Sequence, residues 1–176
     1  MKNIDLCDII SLLSSDYNHQ IMFFGHGIYY LLDTLLNITS KTLFVFEHSI
    51  PLDFPVKDDQ YILECLNDFN PYEIFNFKDF INMIVYLPRI SNIYFHGLKS
   101  YYYKLLIKNF YDKINLMVKV CRFSSLKLIL LFKGGSVSFN SRIHVYPRLL
   151  EYVSPFFDWV IYFDGNLFTI VKGVNY

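Results

Sequence analysis

Apolar residues fall along this chain in two kinds of cluster, short unbroken runs and longer stretches where they recur every three or four positions. Ile4, Leu6, Ile9, Ile10 and Leu13 have helical spacing and predict a short helix over residues 4–13. Gln20 to Phe24 is a compact apolar run that ends in Gly25-His26-Gly27, and Ile28 to Asn37 then reads as a helix. Lys41 to Phe46 predicts a second buried strand, and Pro51 and Pro55 break the segment after it. Tyr61, Ile62, Cys65, Leu66 and Phe69 predict a helix over 58–69, with Asp58-Asp59 as its solvated start. Glu73 to Phe77 is a short strand candidate, and Lys78 to Leu87 a helix stopped by Pro88. Ser91 to Phe95 predicts the next strand.

Lys99 to Phe123 is the longest helical stretch. Leu105, Leu106, Phe110, Ile114, Met117 and Val118 mark its core face; Lys104, Lys108, Asp112 and Lys119 mark the opposite one. Leu126 to Phe132 is unbroken and apolar, which suits a strand covered on both faces and therefore a parallel sheet. Phe157 to Phe163 and Leu167 to Lys172 flank Asp164-Gly165-Asn166, a hairpin signal. Strands alternating with helices imply right-handed crossovers. The expected fold is one α/β domain over 1–176, a mostly parallel sheet flanked by helices with an antiparallel C-terminal hairpin. No repeat, low-complexity tract or linker divides it.

Composition changes this picture in three ways. Ala is absent and aromatics reach 19%, a pattern that A/T-rich codons produce without any chemical meaning, although the apolar surplus hints at a partner surface. Cys7, Cys65 and Cys121 are far apart and odd in number; they fit no zinc or disulfide framework, favour a reducing compartment and read as buried thiols. Net charge is zero, yet residues 1–88 hold 4 Lys+Arg against 12 Asp+Glu, a net of −8, while residues 89–176 hold 12 against 4, a net of +8. That split either presents one side to a polyanion or is cancelled where the halves intermix. No apolar segment is as long as the ~18 residues of a membrane helix, so no membrane partner is expected. The opening MKNIDLCDIISLL carries acids within its apolar stretch and does not read as a signal peptide.

The order of elements from Gln20 to Gly173 resembles the RecA-type recombinase core, and more closely the divergent recombinase paralogues that include Shu-complex subunits. The segments that carry the resemblance are QIMFFGHGIYYLLDTLL, TLFVFEHSI, NPYEIFNFKDFINMIVYL, NIYFHGLKS, LKLILLFKGGSVSFNSRIHVYP and FDWVIYFDGNLFTIVKG. None is specific alone; their order and spacing together are moderately so. The departures matter as much. A P-loop reads GxxxxGK followed by Ser or Thr, because backbone N–H groups cradle phosphates, Lys neutralises them and the hydroxyl holds magnesium. Here Gly25-His26-Gly27-Ile28-Tyr29-Tyr30 is too short and has neither Lys nor Ser or Thr at the helix start. The strand that should end in a metal-holding Asp ends in His96-Gly97, and Glu47 alone cannot run phosphoryl transfer. The resemblance thus implies a degenerate nucleotide site at Gly25, His26, Gly27, Glu47 and His96.

The resemblance implies a non-catalytic nuclear subunit without cofactor, partnered by a second paralogue, a recombinase filament and DNA. It puts DNA on the loop after the LKLILLF strand, where Lys133, Arg142 and Arg148 can follow phosphates and Phe139 can stack on a base. Arg122 and Lys127 flank the other end of that strand. Lys99, Lys104 and Lys108 either extend the basic stripe or form a plain outer helix face. Two other classes stay open. One is a protein-interaction scaffold, for instance a viral one, with no nucleic-acid contact. The other is a small-ligand enzyme in which His26, His48 and His96 converge with Glu47 at one sheet edge. No HExxH metal pair, G-x-S-x-G elbow or dinucleotide fingerprint is present, and neither His19 nor His144 has a metal-spaced partner.

Overall fold

A computed structural model of the chain describes residues 2–15, 17–25, 34, 37, 41–46, 58–64, 82, 84, 91–96, 107–133 and 152–173. The protein is an α/β fold on one mixed sheet. Its strands are β1 (Lys2–Ile4), β2 (Ile21–Gly25), β3 (Thr42–Phe46), β4 (Gln60–Glu64), β5 (Asn92–His96), β6 (Lys127–Lys133), β7 (Trp159–Phe163) and β8 (Phe168–Lys172). They lie in the order β1-β8-β7-β2-β6-β5-β3-β4. The six strands from β7 to β4 are mutually parallel, while β8 pairs antiparallel with both β7 and β1. The mostly parallel sheet with an antiparallel C-terminal hairpin is thus as the apolar runs predict.

The burial pattern explains why. β2 and β7 are buried along their whole length, and so are Lys127 to Leu131 of β6, so these central strands are covered on both faces. On one face Ile21, Phe23, Phe44, Ile129, Leu131, Ile161 and Phe163 form a single cluster with Ile9 and Leu13 of helix α1 (Leu6–Ser14). Helix α2 (Ile107–Phe123) packs against β6 and buries Ile114, Met117, Val118 and Cys121, while Asp112 and Lys119 stay exposed. That is the face its periodicity predicts.

The N-terminus corrects the expected helix over 4–13. Residues 2–4 form an edge strand on β8, and the helix starts only at Leu6. Ile4 shares the cluster of Ile9 and Leu13, so apolar spacing alone cannot separate strand from helix. Asp5 does so: it is the N-cap of a reciprocal capping box with Asp8. A second correction concerns 58–69. Residues 60–64 form edge strand β4, not a helix, and Asp58-Asp59 are a turn. Asp59 accepts from Lys41 N–H through its carboxylate (3.0 Å) and from Thr42 N–H through its carbonyl (3.2 Å), which locks β4 in register with β3. Those tertiary bonds outweigh a helical spacing that a short apolar run also satisfies. The expected helices over 28–37 and 78–87 are sampled at 34, 37, 82 and 84, which are helical. The strand candidate 73–77, and residues 65–69 and 99–106 of the expected helices, lie outside the described residues.

Candidate functional site

The parallel strands end together at one edge of the sheet, where open α/β sheets hold their ligands. Gly25 closes β2 and is register partner to Lys133, which closes β6. His96 closes β5 and pairs with Leu131 on β6 and with Phe46 on β3. The backbone thus carries Gly25, Lys133 and His96 to one edge, with β6 between β2 and β5. His26, Gly27, Glu47, Phe139, Arg142 and Arg148 lie outside the described residues, as does His48. Glu47 directly follows Phe46 in sequence, and the segment bearing Phe139, Arg142 and Arg148 directly follows Lys133.

Gly25 has its own physical cause. Its φ is +130°, and a Cβ built on it would lie 1.9 Å from the carbonyl oxygen of Phe163. The glycine is required by close approach of β2 to β7, a demand that needs no phosphate.

At the opposite, amino edge, cations from the basic half are committed to the fold. Lys127 is only 4% exposed. Its ammonium donates to the carbonyls of Leu13 (2.5 Å) and Ser15 (2.7 Å), closing the C-terminal end of α1. Arg122 donates to Asp158 (2.7 Å) and to Phe156 carbonyl (3.0 Å), and the same carboxylate accepts from Gln20 N–H (2.8 Å). Lys172 donates to the carbonyls of Ser154, Pro155 and Phe157; partial burial pulls its pKa below the ordinary lysine value, with Asp158 opposing. Lys127 was detectable in sequence as a cation inside an apolar run, which must find acceptors once buried. None of these three reaches toward Lys133, which sits at the far end of β6 from Lys127.

Among the described residues, no group of three or more His, Cys, Asp or Glu is placed to hold a metal ion, and no helix is long and apolar enough to cross a membrane. His19 instead packs its ring against Tyr17 and Trp159. The cysteines divide: Cys121 is buried, whereas Cys7 is exposed, contrary to its reading as a buried thiol, because it falls on the outer side of α1. Cys65 lies outside the described residues. Burial pushes the Cys121 thiol up from 9.0 to about 12. A brief maleimide pulse on the native chain at neutral pH, mapped by mass spectrometry, should label Cys7 and spare Cys121; equal labelling would contradict this packing. The unfolded chain loses the Cys121 proton first, so this thiol lowers stability as pH rises from 9.0 to about 12 and is neutral below that window.

Compared with known proteins, the chain matches no family model and no curated protein.

Proposed function

We propose that this chain is a non-catalytic subunit of a hetero-oligomer that binds DNA along the carboxyl edge of its sheet, in the manner of the divergent recombinase paralogues it resembles. Within such a complex it would help assemble or steady a recombinase filament during homologous recombination repair in the nucleus. The observation that carries the reading is the register of Gly25 with Lys133. It sets Lys133, the residue before the segment with Arg142 and Arg148, beside the end of β2. Lys127, Arg122 and Lys172 are tied to carbonyls or to Asp158. Lys133 and the cations of the segment after it are the proposed source of the polyanion contact. The non-catalytic assignment rests on the sequence of residues 25–30, which has neither the Lys nor the Ser or Thr of a phosphate-binding loop.

Affinity purification of the tagged chain from its native cell, with identification of co-purifying proteins, tests the assembly. A recombinase or second paralogue is the expected companion, and a set of companions without any DNA-repair protein would sink that part. ATP turnover by the purified chain that disappears on substitution within residues 25–30 would refute the non-catalytic assignment.

A further inference from the structure

A cleft of about 580 Å³ opens between the start of α1 and the turn of the β7–β8 hairpin. Ile4, Leu6, Phe163, Leu167 and Phe168 give it apolar walls. Phe163 and Phe168 stack with ring centroids 4.5 Å apart, which fixes the floor. Leu6 and Leu167 are both exposed, and both line this one opening. One exposed leucine is ordinary, whereas two converging on an aromatic floor make a place for an apolar side chain.

The rim is acidic. Asp5 and Asp8 line the cleft and cap α1 reciprocally, Asp8 N–H donating to Asp5 (2.9 Å) and Asp5 N–H to Asp8 (3.3 Å). Each uses one carboxylate oxygen there. Asp164 stands in the adjoining turn, where Leu167 and Asn166 N–H groups hold its carboxyl below the usual carboxylate range. No Lys, Arg or His is among the described residues that line the cleft, and residues 26–40, which carry Thr34 to it, contain no Lys or Arg.

We infer that this cleft docks a basic, apolar peptide segment of a partner protein. One large apolar side chain enters between Leu6 and Leu167 onto Phe163 and Phe168, and neighbouring Lys or Arg residues meet Asp5 and Asp8. The volume suits a few side chains rather than a globular surface. The rim carboxylates select cations and repel nucleic acid. The site does not depend on DNA binding by the residues after β6, whose Lys and Arg have the opposite sign.

The test is fluorescence anisotropy of the full chain with a labelled decapeptide in which leucine and phenylalanine alternate with lysines. Saturable binding that weakens with salt is expected, and a counterpart with glutamate for lysine should not bind. Leu167→Asp should weaken binding about tenfold, and the double variant Asp5→Asn, Asp8→Asn about fivefold, as for residues central to an interface. Asn is a good N-cap, so the double variant keeps α1. Should Leu167→Asp not fold, Leu6→Ser tests the opposite wall. The inference fails if the wild-type chain shows no saturation by ~1 mM peptide, or if the acidic peptide binds equally. It also fails if none of the variants alters binding, or if the peptide dissociates a dimer of this chain, since a second copy would then be the occupant.

Discussion

Gly25→Ala should come close to unfolding the protein. A methyl group at this position would lie 1.9 Å from Phe163 carbonyl oxygen and 2.9 Å from its carbon, both backbone atoms of the neighbouring strand β7. Neither can swing aside as a side-chain tip could, so β2 and β7 must separate at the centre of the sheet. The φ of +130° adds backbone strain for any residue with a Cβ. Overpacking and strain together give about 3–5 kcal/mol, a large share of the ~5–15 kcal/mol that holds a typical domain folded. The melting temperature should fall by roughly 10–15 °C. Gly165→Ala is the control: its φ is +107°, but nothing lies within 4 Å of the added methyl, so only the strain of about 1–3 kcal/mol applies. Equal losses at the two positions, read by thermal denaturation, would contradict the close approach of β2 to β7.

Lys127→Met should be the next most damaging change. The ammonium is buried and satisfies two carbonyls at the end of α1, Leu13 and Ser15. Methionine fills similar volume but donates nothing, leaving those acceptors without the cation that closes the helix. A loss of about 2–4 kcal/mol is expected, with amide exchange accelerated first in residues 9–15. Lys172→Met makes the comparison, because its head group is more exposed and water can replace it at Ser154, Pro155 and Phe157. Its loss should stay within about 1 kcal/mol. If Lys127→Met melts with the wild type, α1 does not depend on this capping cation.

Much of the sheet was legible because its central strands are chemically extreme. Apart from Lys127, LKLILLF is wholly apolar, and a segment like that has one comfortable home, inside a sheet covered on both sides. Asp164-Gly165-Asn166 announces the hairpin, since Gly165 takes the positive φ and Asp164 accepts from the N–H groups of Asn166 and Leu167. The edges were harder. Residues 60–64 fit a helix or a strand equally by spacing, and the choice was made by Asp59 reaching Lys41 and Thr42, a contact no local pattern encodes. β1 was hidden because three residues are too few to show a period, and Ile4 looks like the first turn of the helix beyond it. At the candidate site, composition pointed to the end of the apolar strand, and register does bring Lys133 beside Gly25. The cleft beside the hairpin was not legible: it joins Asp5 and Asp8 to Leu167 through the pairing of β1 with β8, far apart along the chain.

The salt dependence of single-stranded DNA binding tests the central claim most directly. Fluorescence anisotropy should show wild-type affinity falling linearly with salt on logarithmic axes. Neutralising Lys133, Arg142 and Arg148 together, each to Gln, should reduce that slope by about 2, the value for three lost phosphate contacts on a single strand. A wild-type chain that ignores DNA at low salt, or a triple variant with the wild-type slope, would contradict a polyanion grip at the carboxyl edge.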